Sequence, residues 1–520
     1  MTLKKEYSAK KKNIIFRIVS AVLALAVIAT GLLYFIGIPS NTANKGWCVD
    51  NNGYDIDSEE VERLISVKPT DLQAKYSDIE YYSFIHYGMN TFTGQEWGDG
   101  TESPSQFNPT TVDTDQWVKV LKESGSKGII FTAKHHDGFC LFPSDYTDHD
   151  IASSPYQNGN GDIVKQLADS CRKYDMKLGI YLSPWDRHEE SYATEAYNDY
   201  FVNQLTELCT RYGDIFMFWF DGAGGDDIGD WKYDFTRYYE VIRELQPNAV
   251  IANCGPDVRW IGNEAGVARK SEWSVISSGN ASVDEIMSNS QKDTDDAQRL
   301  QEVNYDAKDR GSRELLSKYR DLIWYPAEAD VSIHHDWFYN DNSKMRTAKE
   351  LTNIYFNTVG GNASMLLNVP PTKDGVIADK DIQILKEFKN NIDTAFSDKI
   401  SGTVYASNVD GGENQINIES PDNSYMLQKN ENAITVKLDE KSVVSTVVLQ
   451  ENITNSQRVE EYEIYAKTAA GYTKVYTGTV IGSKKIIRLN PFMCKSTSEI
   501  KIVFTQSRSN PVIRTVELYK

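Results

Sequence analysis

Apolar positions along the chain fall into three regimes. In the first, the uncharged run Ile18–Ile38 follows Lys4, Lys5, Lys10, Lys11, Lys12 and Arg17. At about 1.5 Å per helical residue, such a run spans the ~30 Å hydrocarbon core of a bilayer. Its basic flank would stay cytoplasmic by the positive-inside rule, placing everything beyond Pro39 on the extracytoplasmic side. A cleaved, secretory signal is the alternative, although no A-x-A-like site follows Ile38. The expectation is a basic cytoplasmic segment over 1–17, a transmembrane anchor or signal segment over 18–38, and a polar stalk over 39–67.

The second regime covers 68–396, where short apolar runs alternate with helical patterns. Ser83–His86, Gly128–Thr132, Leu178–Leu182, Ile215–Phe220, Ala249–Asn253 and Met365–Val369 read as strands, with Trp273–Ile276 and Ile323–Tyr325 as further candidates. Helices are expected over Asp113–Ser124, Ile163–Tyr174, around Tyr197–Arg211 and Phe235–Leu245, and over Ala348–Thr358. In the first of these, Trp117, Val120 and Leu121 keep helical spacing, and Asp113 with Gln116 resembles a capping box. This alternation predicts an α/β fold, a (β/α)8-type barrel; a doubly wound open sheet is the alternative. The polar stretch Ser277–Arg320 breaks the rhythm and reads as a surface insertion.

In the third regime, 397–520, the period drops to two. Runs at Ala433–Leu438, Val443–Gln450, Glu461–Lys467, Lys485–Leu489, Glu499–Phe504 and Ile513–Leu518 predict an all-β sandwich domain.

Charge narrows the partners. With 55 Lys+Arg against 74 Asp+Glu, the net charge of −19 argues against nucleic acid, which needs clustered cations. The 30 Tyr and 10 Trp suit neutral, hydroxyl-rich ligands as well as a core. Cys48, Cys140, Cys171, Cys209, Cys254 and Cys494 are scattered without zinc spacing.

In a barrel of this type, catalytic groups sit at the C-terminal ends of strands. Here the expected strands run into Ile85-His86-Tyr87-Gly88, Lys134-His135-His136-Asp137-Gly138, Tyr181 with Ser183 and Trp185, and Trp219-Phe220-Asp221-Gly222. Four of the chain's seven histidines, His86, His135, His136 and His188, follow strands, which favours a shared pocket. No metal is expected: adjacent strand residues point to opposite faces, and no HExxH or His-x-His spacing occurs. A serine hydrolase lacks its G-x-S-x-G elbow. Paired carboxylates, as in glycoside hydrolysis, fit better. Asp221 ends a six-residue apolar run, Ile215 to Phe220, although a helix N-cap would explain it equally well. Glu264, taken alone, reads as a surface-loop acid.

With Glu96-Trp97, Leu178-Gly179-Ile180-Tyr181, Phe131 through Phe139 and the Trp219–Gly222 motif in place, the chain resembles the α-L-fucosidases of glycoside hydrolase family 29. The likeness runs from about Tyr76 through Leu366-Leu367-Asn368-Val369-Pro370-Pro371 and into the sandwich. It implies a retaining hydrolase of terminal α-L-fucose on fucosylated glycans, with no cofactor and Asp221 as nucleophile. It also implies that His86, His135, His136, Tyr181 and Trp219 line the sugar pocket, with Glu96 and Trp97 completing it. Trp337, Phe338 and Tyr339 are further candidate walls. Gly255-Pro256-Asp257-Val258-Arg259-Trp260 through Gly262-Asn263-Glu264-Ala265-Gly266 resembles the branch acting on α-1,3/1,4-linked fucose of Lewis-type glycans, and implies Glu264 as acid/base over Glu272. The chain departs from that branch in carrying His334-His335-Asp336 before Trp337, where Arg-Pro-Gly is usual. A broad-linkage fucosidase and an inactive fucose-binding surface lectin are the alternatives.

Overall fold

The computed structural model describes residues 59–224, 231–278, 309–408, 411–418 and 423–520. The expected segments 1–17 and 18–38, and most of the Ser277–Arg320 insertion, lie outside the described residues. Among those described, no helix is long and apolar enough to cross a membrane.

Eight strands form one parallel sheet: β1 (Tyr81–Ile85), β2 (Gly128–Lys134), β3 (Lys177–Leu182), β4 (Met217–Phe220), β5 (Val250–Asn253), β6 (Arg259–Trp260), β7 (Ala327–Ser332) and β8 (Ala363–Asn368). Their order is β5-β4-β3-β2-β1-β8-β7-β6. A parallel bridge between Ala252 and Val258 brings the two edges together, so the sheet curls into a nearly closed barrel rather than an open wound sheet. Helices α1 (Thr114–Glu123), α2 (Ile163–Lys173), α3 (Glu195–Arg211), α4 (Phe235–Leu245), α5 (Ala348–Thr358) and α6 (Asp379–Ala395) cover its outside.

The two-residue period of the strands sorts side chains by face. Tyr82, Phe84, Ile130, Tyr181, Met217, Trp219, Ala252 and Leu366 fill the barrel. Ile85, Phe131, Ile180, Phe218, Ile251 and Leu367 face outward into the helices, against residues such as Trp117, Leu167, Phe201, Tyr238 and Phe388. The same alternation carries on past two strand ends. His86 follows Phe84 inward, and Asp221 follows Trp219 inward.

Three expectations change. Trp273–Ile276 and Ile323–Tyr325 are not barrel staves: Val275–Ser277 pairs antiparallel with Leu322–Trp324 in a separate ribbon. The staves in their place are β6 and β7. The sequence of β7, Ala-Glu-Ala-Asp-Val-Ser, hides a buried strand because Glu328 and Asp330 point into the barrel. The expected stalk, 39–67, also ends in structure. Glu59–Ser66 is a helix whose Leu64 packs with Val275, Leu316, Trp324 and Ile453, and a second helix, Asp71–Ser77, follows behind a Thr70/Gln73 capping box.

The C-terminal domain is a sandwich of a six-stranded and a four-stranded sheet with antiparallel pairing. Val448, Val480, Ile486 and Tyr519 join the core around the barrel helices, so the two domains share apolar packing.

Candidate active site

The mouth of the barrel gathers side chains from four consecutive strand ends. Asp221, just past β4, is held twice: Oδ2 accepts from the Tyr181 hydroxyl at 2.7 Å, and Oδ1 accepts from the Ala223 amide at 2.8 Å. His136 Nε2 lies 3.7 Å from Asp221 Oδ2. Tyr181 is sandwiched, stacking on Trp219 at 5.4 Å and on His135 at 5.5 Å.

Hydrogen bonding fixes the imidazole tautomers. His86 Nδ1 is 2.9 Å from Asn368 Oδ1, and the amide orientation of Asn368 is set by its Nδ2 donating to Ser332 and to the Trp337 carbonyl. An acceptor there means that His86 carries its proton on Nδ1, leaving Nε2 free to accept. His136 Nδ1 is 2.7 Å from the Ser183 hydroxyl, whose own hydrogen goes to the Trp185 carbonyl, so His136 likewise presents a bare Nε2. Burial lowers the pKa of all three histidines, His86 to about 4, so each is neutral near pH 7. His135 Nδ1 is buried without a partner among the described residues.

The expectation that His135 and His136 point to opposite faces is overturned: their rings lie 4.1 Å apart. The register of β2 on β3 slips between Thr132 and Lys134. Lys134 turns toward the rings of Tyr197, Tyr200 and Phe201 and pairs with Asp186 at 2.8 Å, and both histidines then reach the mouth. His135, His136 and Asp221 thus offer ligand atoms within 4.8 Å of one another, a set that could hold a divalent cation or a ring of sugar hydroxyls.

The rim comes from loops. Trp337 lies 5.1 Å from His86, and its amide donates to Glu96 Oε1 at 2.5 Å. Phe338 meets both His86 and His135 edge-on, as a wall should. Trp97 is 52% exposed and leans on His136 and Trp185. Tyr339 is not a wall, since it packs on His334 and bonds Asp341. His334 is fully buried and faces the Asp381 carboxylate of α6 at 3.1 Å. His188 also leaves the expected cluster: it stacks on His149 and bonds the Gly100 carbonyl, bracing the loop after Trp97.

Glu264 sits on the loop after β6. As a residue it is exposed, yet the surrounding protein desolvates its carboxyl, and the charge of Asp221 adds to that. Both raise its pKa, against a hydrogen bond from Trp337. Glu272, eight positions on, is fully buried between Arg259 and Arg269. Although burial alone would raise its pKa, the two guanidinium groups lower it below the usual Glu value.

Two buried carboxyls escaped the sequence. Glu328 Oε1 accepts from Trp219 Nε1 at 2.6 Å and Oε2 from the Tyr82 hydroxyl; burial pushes its pKa to about 7. Asp330 accepts from Trp260 Nε1 at 2.8 Å, and burial together with the charge of Glu264 raises its pKa. The short alternation Ala327-Glu328-Ala329-Asp330 is the one local trace of them, and it does not by itself mark a buried strand.

Neutral imidazoles, stacked aromatic faces and carboxyl groups at the C-terminal mouth of a parallel barrel define a sugar-processing hydrolase site. A sequence model described as Alpha-L-fucosidase matches residues 37–393. "Alpha-L-fucosidase 1" of Arabidopsis thaliana is 38% identical over 451 residues, covering 84% of each chain. A putative alpha-L-fucosidase structure from Bacteroides ovatus superposes with a TM-score of 0.77 at 39% identity, over 90% of this chain and 77% of that one. A Ruminococcus gnavus GH29 fucosidase in complex with fucose gives a TM-score of 0.73 at 29% identity, over 87% of this chain and 95% of that one. The chain belongs to the α-L-fucosidases of glycoside hydrolase family 29.

Proposed function

We propose that the enzyme is a retaining exo-α-L-fucosidase working by double displacement, with Asp221 as nucleophile and Glu264 as acid/base. The opposite electrostatics of two neighbouring glutamates carries the assignment. Glu264 keeps its proton to higher pH, as an acid must, whereas Glu272 is held ionised by two arginines. In the first step an Asp221 oxygen forms a bond to the anomeric carbon as the glycosidic C–O bond breaks. Glu264 gives its proton to the departing oxygen. In the second step water attacks that carbon, passing a proton to Glu264, and the ester bond to Asp221 breaks. The bare Nε2 atoms of His86 and His136 accept from ring hydroxyls, and Phe338, Trp219 and Trp337 offer apolar faces to the methyl that fucose carries in place of a hydroxymethyl group.

The Gly255–Trp260 and Gly262–Gly266 motifs favour α-1,3/1,4-linked fucose of Lewis-type glycans. Their resemblance to the branch with that specificity is the support. Released sugar followed by NMR on a Lewis-type trisaccharide, an α-1,2-linked disaccharide and an aryl fucoside tests both halves. α-Fucose as first product, with the trisaccharide strongly preferred, is expected. β-Fucose would overturn retention, and equal rates would overturn the linkage. The apolar run Ile18–Ile38 supports a membrane-anchored, extracytoplasmic enzyme; cell fractionation of full-length protein checks this, and native enzyme only in the medium would overturn it.

A further inference from the structure

The loop from Ile261 to Ser274 carries Glu264 out from β6 and returns to the ribbon strand Val275–Ser277. Its outward half is tied to the barrel. The Ile261 amide donates to the Glu328 carbonyl at 2.8 Å, and Ala265 bridges Val331. The Asn263 side chain closes a local turn on the Ala265 and Val267 amides.

The returning half is tied elsewhere. Gln457, in the sandwich and fully buried, accepts from the Ser274 amide at 2.9 Å and donates to the Glu272 carbonyl at 3.3 Å. Thr479 donates to the Lys270 carbonyl at 3.1 Å. The Arg508 guanidinium, also fully buried, lies 3.8 Å over the ring of Trp273. Asn362, just before β8, donates to the same Glu272 carbonyl at 2.8 Å and accepts from the Ser483 amide and hydroxyl of the sandwich. The Glu272 side chain pairs with Arg259 of β6 and, inside the loop, with Arg269.

These bonds satisfy backbone groups at three successive points of a segment that has no regular structure of its own, which would otherwise sample many conformations. We infer that the C-terminal sandwich is a positioning element for the acid/base, with Gln457, Thr479 and Arg508 as positioning residues that hold the returning half of the Glu264 loop at the barrel mouth. The inference rests on Glu264 being the acid/base. The sandwich acts without touching substrate: it narrows the range of carboxyl positions, and a proton donor displaced by about 1 Å can cost up to a hundredfold in rate.

The test exploits leaving groups. Protonation matters for a sugar alcohol and little for an activated nitrophenol, so a misplaced acid changes the ratio of the two rates while a general loss of folded protein lowers both equally. Full-length Gln457→Ala and the milder Thr479→Ala are compared with Ile464→Val, which trims the sandwich core away from the loop. The measured quantities are the kcat/KM values, which report only the first, acid-assisted step, on a Lewis-type trisaccharide and on a dinitrophenyl fucoside. Gln457→Ala should lose about tenfold on the trisaccharide and less than about twofold on the aryl fucoside. Thr479→Ala should shift the ratio in the same direction by less, and Ile464→Val should leave it unchanged. An unchanged ratio in Thr479→Ala together with an unchanged ratio or no folded protein in Gln457→Ala would overturn the inference. So would an equal shift in Ile464→Val. Glu264→Ala, run in parallel, reports on the underlying assignment: if it shows no dependence on leaving group, the acid/base reading fails by itself.

Discussion

The two halves of the site are built by different means. The half that carries the proposed nucleophile hangs on strand ends. Asp221 and His86 continue the inward alternation of β4 and β1, and Tyr181 is a residue of β3 itself, locked between two rings. The half that carries the proposed acid hangs on a loop, and the Glu264 carboxyl owes its raised pKa first to burial and then to the charge of Asp221, against the hydrogen bond from Trp337. Strand geometry fixes where a group points, while a loop leaves room to tune its proton affinity and its reach toward different leaving sugars. Glu264 and Glu272 make the contrast sharpest: the same side chain, eight residues apart, is driven in opposite directions by its neighbours.

The largest effect should come from the strand-borne half. Asp221→Asn keeps the shape and can still accept from Tyr181, but an amide cannot form the ester, so kcat should fall by about 10⁴-fold or more with near-wild-type melting. Activity within tenfold of wild type would move the nucleophile elsewhere.

The loop half should respond conditionally. Glu264→Ala should lose about 10²–10⁴-fold on an oligosaccharide and far less on an activated aryl fucoside. Added azide should restore turnover and yield α-fucosyl azide, because azide attacks the covalent intermediate without a general base. Glu272→Ala should instead reduce stability. Removing one partner from a buried ionic cluster costs about 3–5 kcal/mol, read as a lowered melting temperature with kcat per folded molecule nearly intact. Azide rescue in Glu272→Ala but not in Glu264→Ala would reverse the roles.

The same contrast predicts two pH dependences of opposite sign. As the proposed acid, Glu264 must be protonated to act, and burial together with the charge of Asp221 raises its pKa above the usual Glu value. Glycosylation should therefore persist through mildly acidic pH and fall as pH rises through that raised pKa. Glu272 has a folded pKa below its unfolded one, so its stabilisation is full above the unfolded value and is lost as pH falls through the folded one. Acid melting curves of wild type and Glu272→Gln should converge at low pH, and curves that stay parallel would contradict the pairing.

These differences also explain what the sequence discloses. β4 is legible because four apolar residues end abruptly in Asp221, and the helices are legible through their apolar spacing and caps. β7 is not, because Glu328 and Asp330 serve the barrel interior, where Trp219 and Trp260 supply hydrogen bonds that no local pattern announces. The approach of His135 to His136 depends on a one-residue slip of β2, invisible to a strict period of two. Glu264 has no local signal at all; only the family motif around it singles it out. Asn368, which sets the His86 tautomer, sits inside a matched motif without a role that spacing could assign.

The smallest expected effect belongs at the rim, where Trp97 divides its surface between solvent and its edge contacts with His136 at 6.2 Å and Trp185 at 5.6 Å. Its ring neither orients Asp221 nor reaches Glu264 through any hydrogen bond, so its contribution is the same in the bound substrate and in the transition state. A half-exposed aromatic face at the rim gives up only part of its area to a bound sugar, so its loss removes a small, non-directional contact. Trp97→Ala should therefore raise KM by about three- to tenfold and leave kcat within about twofold, the signature of uniform binding. Trp219→Ala is the sharpening control. Trp219 stacks on the Tyr181 that bonds Asp221, and its removal also strands the Glu328 carboxyl without its indole donor. That variant should lower kcat as well as raise KM. Equal kcat losses in the two variants would show that the exposed rim shapes the transition state as directly as the strand-borne wall does.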